Sequence, residues 1–249
     1  MTGPGRDIAG PPDGPLIVFI HGTRLTRVSW RAIVSRLDDD HRCVSVDLPG
    51  HGDLADHPFS LDAAADAVEA AIDAAGRGPA ILVGLSLGGY VAMTVAARSP
   101  QRVRGLVLAG SSAEPRGVTG RAFRLFAWGL IAVPERTLDG LNSWLFRRRY
   151  PAAIAEPIID AGYWTRGGAE AVRSLTETTF RDRLAAFGGP ILVINGGLDV
   201  IFRLGERDFL RGIPNVSRRV LPLAAHLTPL DSPDAFAAAV RSFVDGLET

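Results

Sequence analysis

Ser86 sits in surroundings that promise chemistry. It lies in Gly84-Leu85-Ser86-Leu87-Gly88-Gly89, directly after an apolar run at 80–83. The stretch that follows, 87–98, reads as a helix that stops before Pro100, where proline disfavours further helix. A serine at the tip of a strand-to-helix turn occupies strained backbone, so its neighbours must be small, and the G-x-S-x-G spacing supplies them. The helix aims free N–H groups and the positive end of its dipole at the same spot. That environment suits a nucleophile. A serine hydroxyl is a weak one at neutral pH, and it needs a base, a group that orients the base and donors for a developing oxyanion.

Only one of the five histidines follows Ser86, and it is His226, in the loop after the last apolar run. If the serine is a nucleophile, His226 is its base. The orienting acid should lie at an earlier strand end. Asp199, just past Gly196-Gly197, is the first candidate, and Glu114, beyond the run at 103–109, is its rival. A glycine-flanked aspartate is also a common turn residue. Asp231 is close to His226 along the chain and lies near the start of the final helix, where capping is the natural expectation. One oxyanion donor should be the N–H of Leu87. The second should come from the turn His21-Gly22-Thr23, where Gly22 permits close approach and Thr23 offers its N–H.

These groups need a frame. Apolar runs at 16–20, 42–47, 80–83, 103–109, 191–195 and 218–221 read as strands. Helical patterns occupy 30–37, 61–75, 87–98, 204–212 and 233–247, with Ser60 as an N-cap. Strands alternating with helices predict a doubly wound, mostly parallel sheet. Ligands bind such sheets beyond the carboxyl ends of the strands, where Gly22, Asp47, Ser86 and Ser111 lie. From 113 to 186 no strand is legible. Helical patches surround 121–133, 138–149, 154–161 and 169–180, a block longer than ordinary connections. The expected organisation is therefore a core of residues 1–112 and 187–249 with a helical lid, 113–186, inserted in it. The first lid helix is apolar on nearly all sides, as a helix facing both core and ligand would be. Phe123, Trp128, Trp144 and Trp164, with Phe126, are candidates for lining an apolar pocket, or for packing the lid onto the core. The Arg147-Arg148-Arg149 run reads as a solvated helix end.

Composition bounds the rest. The chain has 249 residues, 47% of them apolar, enough for one sizeable domain. Twenty-seven basic residues, all arginine, balance 27 acidic ones, which gives no electrostatic case for nucleic acid or an anionic membrane. Cys43, the only cysteine, cannot form an internal disulfide and reads as a small buried hydrophobe. Residues 1–15 lack the apolar core of a signal peptide and no apolar run is long enough to span a membrane, so a cytoplasmic location is expected. No G-x-G-x-x-G and no metal-ligand spacing occur, so no cofactor and no metal are expected.

The chain resembles the α/β-hydrolase-fold superfamily. The resemblance spans everything outside the lid and rests on His21-Gly22, Asp47-Leu48-Pro49-Gly50-His51-Gly52, Gly84-Leu85-Ser86-Leu87-Gly88-Gly89, Gly196-Gly197-Leu198-Asp199 and His226, in that order. It implies Ser86, Asp199 and His226 as nucleophile, acid and base, the N–H groups of Thr23 and Leu87 as oxyanion hole, and a structural role for His21 and the Pro49–Gly52 loop. Members often begin with a two-stranded hairpin, whereas here fifteen residues rich in glycine and proline precede the first strong strand, so a shortened or missing edge is expected. The expected reaction is hydrolysis of a small, largely apolar ester or thioester through an acyl-enzyme. Carbon–carbon bond hydrolysis or lyase chemistry on the same three residues is the alternative, with Arg24 either holding a substrate carboxylate or simply solvated. A non-catalytic small-molecule receptor on the same fold is the alternative of another class.

Overall fold

Six of the strands lie parallel because each is followed by a helix that returns the chain to the same end of the sheet. The computed structural model describes residues 4–76 and 78–247; residues 1–3, 77 and 248–249 of the expected core lie outside them. The strands are β1 (Arg6–Ala9), β2 (Leu16–Ile20), β3 (Arg42–Val46), β4 (Ala80–Leu85), β5 (Val103–Ala109), β6 (Ile191–Gly196) and β7 (Val216–Leu221). They form one sheet ordered β1-β3-β2-β4-β5-β6-β7, with only the β1–β3 pairing antiparallel. The expected shortening of the amino-terminal edge is seen: β1 has four residues, and Pro11 and Pro12 beyond it lack the N–H a ladder requires.

The helices are α1 (Arg31–Val34), α2 (Leu61–Ala74), α3 (Leu87–Arg98), α4 (Gly117–Ala132), α5 (Glu135–Arg149), α6 (Ala152–Asp160), α7 (Thr165–Leu175), α8 (Phe180–Phe187), α9 (Val200–Phe209), α10 (Thr228–Asp231) and α11 (Pro233–Asp245). Side chains alternate across the strands, so Leu16, Val18 and Ile20 join α2 and α3 in one core while Ile17 and Phe19 join α11 in the other. Trp30 is fully buried in the second core between Phe19 and Phe236.

Several local expectations shift. The helix expected over 30–37 is a 3-10 turn, Arg27–Trp30, followed by the four-residue α1, because the Thr26 hydroxyl accepts the Val28 N–H and starts the turn early. The helical patch at 169–180 is two helices, α7 and α8. The carboxylate of Glu114 accepts the first two N–H groups of α8, at 3.0 and 2.9 Å, and starts it afresh. The helix expected over 204–212 begins at Val200, because Asp199 is its N-cap. Five helices, α4 to α8, separate β5 from β6. The last of them lies against α3 in the core layer rather than over the strand ends. Among the described residues no helix is long and apolar enough to cross a membrane.

Candidate active site

The strand order reverses between β2 and β4: the chain steps from β2 outward to β3, then returns past β2 to begin β4. A crevice opens at such a switch point, beyond the carboxyl ends of the two strands. The turn Gly22-Thr23 leaves β2 there and Ser86 leaves β4 there. Ser86 has φ +52° and ψ −113°, a conformation that costs a non-glycine residue about 1–3 kcal/mol. Its N–H donates to the Ala109 carbonyl at 2.7 Å, which fixes the turn to β5. The glycines around it are a packing requirement. A Cβ on Gly84 would collide with the backbone of Gly88, and a Cβ on Gly88 with the Ile20 carbonyl.

His226 stands in the loop between β7 and α10. Its Nδ1 lies 2.7 Å from Asp199 Oδ2, and Asp199 is 6% exposed. Ionised carboxylates only accept, so Nδ1 donates, and the imidazole presents a free Nε2 lone pair. The other Asp199 oxygen accepts the Phe202 N–H at 3.5 Å. Glu114, the rival acid, is spent on capping α8. Among the described residues Asp231 caps no helix: it accepts the Ala225 N–H at 2.7 Å and the Tyr150 hydroxyl at 2.7 Å and pairs with Arg149, which anchors the loop carrying His226.

The imidazole of His226 is confined on two sides. Phe202 stacks on its face, with centroids 5.0 Å apart and planes 17° apart. Gly110 (φ +56°) lies along its edge: a Cβ there would sit 2.8 Å from His226 Cε1. Gly110 is held in turn by Asn195, whose Oδ1 accepts its N–H at 3.2 Å. Asn195 Nδ2 donates to Ser112 Oγ (2.7 Å) and Glu206 Oε2 (2.6 Å), and Ser112 donates to the Phe202 carbonyl (3.2 Å). None of these residues stood out in the sequence. A buried asparagine at a strand end was the one signal available, and it needs a partner to be read.

Leu87 opens α3, so its N–H has no acceptor within the helix. The Thr23 N–H has no partner among the described residues. The turn that carries Thr23 is fixed by two buried histidines. His21 Nε2 accepts the Leu48 N–H at 3.0 Å and its Nδ1 faces the Gly22 carbonyl at 2.9 Å. His51 Nε2 accepts the Arg24 N–H at 3.3 Å and its Nδ1 faces the Pro49 carbonyl at 3.0 Å. Each ring therefore donates from Nδ1, accepts at Nε2 and is neutral. Burial disfavours the charged form, pushing His21 down to about 4 and His51 down to about 3.

Arg24 is neither solvated nor turned toward a substrate carboxylate. It has φ +64° and is 9% exposed. Its Nε donates to Thr165 Oγ1 at 3.2 Å, its terminal nitrogen pairs with Asp139 at 2.8 Å, and the guanidinium lies over the Tyr163 ring at 5.4 Å. It ties the turn after β2 to α5 and α7.

Ser86, Asp199 and His226 line one cavity of about 330 Å³ together with Gly22 and Thr23. Its walls are apolar, from Phe123 and Phe126 of α4, Val172 and Leu175 of α7, and Ile201 and Phe202 of α9. Of the expected pocket residues, Phe123 is here. Trp128 is 62% exposed on α4 and does not line the cavity, because it lies two positions past Phe126 and so on another face of the helix. Trp164 lines a separate cavity beside Gly50 and His57, where its backbone bonds Arg24. Trp144 lines a third cavity, which also touches His226. Val172, Leu175, Ile201 and Phe202 were missed because nothing in their spacing separates a pocket wall from a core stripe. Among the described residues no three His, Cys, Asp or Glu side chains are grouped as metal ligands.

The fold and this arrangement define a class, and the chain belongs to the alpha/beta hydrolase family, whose model matches residues 17–239. It is 33% identical to the pimeloyl-(acyl-carrier protein) methyl ester esterase of Neisseria meningitidis serogroup C, over 97% of this chain and 98% of that one. It is 30% identical to the 2-succinyl-6-hydroxy-2,4-cyclohexadiene-1-carboxylate synthase of Serratia proteamaculans, over 94% of this chain and 95% of that one. Among solved structures, a thermophilic esterase from Thermogutta terrifontis with malate bound superposes with a TM-score of 0.82 at 27% identity, over 98% of this chain and 93% of that one.

Proposed function

We propose that this hydrolase cleaves a small, largely apolar ester or thioester through an acyl-enzyme. The observation that carries the proposal is the 2.7 Å contact between His226 Nδ1 and Asp199 Oδ2 in a cavity also lined by Ser86. Ser86 Oγ attacks the carbonyl carbon while His226 Nε2 takes its proton, and Asp199 holds the imidazolium. The N–H groups of Thr23 and Leu87 receive the oxyanion, each such donor being worth roughly 10²–10³ in rate. The intermediate collapses, the leaving oxygen or sulfur takes the proton from His226, and water releases the acid by the same steps. The first four helices between β5 and β6, α4 to α7, act as a lid, with α4 supplying Phe123 and Phe126. A cytoplasmic setting fits the single buried Cys43, whose thiol burial pushes up to about 12.

The apolar wall favours an uncharged acyl group, since no arginine among the described residues lines the cavity. The Serratia relative keeps lyase chemistry as the second reading. Turnover of short-chain aryl esters by the wild type and Ser86→Ala tests the assignment, and equal rates would sink it. A fluorophosphonate probe separates an enzyme from a receptor: a folded protein left unlabelled at Ser86 would favour the receptor.

A further inference from the structure

The second cavity at His226, about 420 Å³, has a chemistry of its own. It shares His226 and Leu227 with the first cavity, so the two adjoin at these residues, but Ser86 lines only the first. The far side is formed by α5, through Asn142, Trp144 and Arg148.

The Arg147-Arg148-Arg149 run on that helix resolves into three different situations. Arg147 pairs with Glu156 at 2.9 Å. Arg149 pairs at 2.8 Å with Asp231, whose carboxylate also receives the Ala225 N–H and the Tyr150 hydroxyl. Arg148 has no carboxylate partner among the described residues, and its guanidinium lies over the Trp144 ring at 5.7 Å. The Asp231 charge is thus matched by Arg149, and Arg148 is left as the uncompensated charge of this cavity. Trp144 is 56% exposed and offers an indole face beside it.

Position supplies the role. The base that takes the serine proton returns it to the leaving heteroatom, so the leaving group of an ester departs on the side of the imidazole. A space that touches His226 and not Ser86 is where that half of the substrate extends. We propose that this cavity receives the leaving group, and that it selects an aromatic or apolar alcohol or thiol bearing an anionic group, stacked on Trp144 and paired with Arg148. This rests on the hydrolase reading above and adds a substrate class to it: an uncharged acyl group joined to an anionic leaving group. No new step is required. The bond broken is the acyl–oxygen or acyl–sulfur bond, and the proton comes from His226.

Two measurements test it. The first compares butyrate esters of phenol and of 4-hydroxybenzenesulfonate. The ratio of kcat/KM for the sulfonate ester to that for the phenyl ester should fall about tenfold in Arg148→Ala and further in Arg148→Glu, and the drop should shrink in high salt. An unchanged ratio overturns the proposal. The second titrates 4-hydroxybenzenesulfonate and phenol into Ser86→Ala protein, with and without Arg148→Glu, by calorimetry. Charge-selective binding lost in Arg148→Glu supports the cavity even if no ester is turned over, in which case the hydrolase reading alone fails. Equal loss for both ligands, or no sulfonate binding by Ser86→Ala protein, removes the anion site whatever the esterase activity.

Discussion

Gly110 and His226 meet so closely that no side chain fits between them: a Cβ on Gly110 would lie 2.8 Å from His226 Cε1 and 2.9 Å from Nδ1. With Phe202 stacked on the ring face, the imidazole is located by van der Waals walls as well as by its hydrogen bond to Asp199. Both walls are joined to one buried polar cluster, Asn195-Ser112-Glu206.

Gly110→Ala should therefore push the imidazole aside, and the positive φ of the site adds strain. A displacement near 1 Å in such a site costs about 10²-fold in rate. The expected result is a folded protein whose kcat for an aryl ester falls by about that factor while KM moves little. A variant with wild-type kcat would show that the ring is placed by Asp199 alone.

Asp199 and Glu114 should separate cleanly. Asp199→Asn presents an amide to the ring and favours the wrong tautomer, for which a loss of about 10⁴ in kcat is the reference. Glu114→Gln keeps a shape that can cap α8 but loses its charge, so it should cost about 1 kcal/mol in urea unfolding and spare turnover. The opposite pattern would exchange their roles.

Acid should unfold the protein through the histidines beneath the turn after β2. His21 and His51 titrate near 6.5 when unfolded and at about 4 and about 3 when folded. Between those values the unfolded chain binds protons that the native one does not, so stability rises with pH. It is complete above pH 6.5 and is lost as pH falls, down to about pH 4 for His21 and about pH 3 for His51, by about 3 and about 5 kcal/mol in turn. His51→Gln should flatten part of this limb in chemical unfolding from pH 4.5 to 7.5. A limb as steep as in the wild type would rule the ring out as a source.

Arg24→Ala should loosen the attachment of α5 and α7 to the core, since it removes the partner of Asp139 and the donor to Thr165. Amide exchange in α5 and α7 should accelerate, and KM should rise for neutral and anionic substrates alike. A rise confined to anionic substrates would return Arg24 to the role of carboxylate holder.

Much of this molecule was legible in its chain. The strand-serine-helix turn at 80–98 could be bounded to within two residues, because strand, small-residue turn and helix each leave local marks. Alternation placed Ser86, Asp199 and His226 at strand ends, and the single histidine after Ser86 singled out His226, while Glu114 stayed a rival to Asp199. Local pattern does not report how far apart those ends lie, and only the folded chain brings Asp199 and His226, which follow β6 and β7, to the cavity that Ser86 lines after β4.

Contacts across elements were out of reach for the same reason. Arg24 beside a glycine turn looks free in sequence, and it is the partner of Asp139, more than a hundred positions away, that removes it from the site. Three arginines in a row look alike, yet folding neutralises two of them and leaves Arg148 beside Trp144. The sequence by itself determined which groups can do chemistry and in what order they occur, because those are matters of residue type and local backbone. The tertiary structure alone decided which charges are already matched and which apolar side chains face a cavity, because both depend on neighbours that sequence distance does not encode.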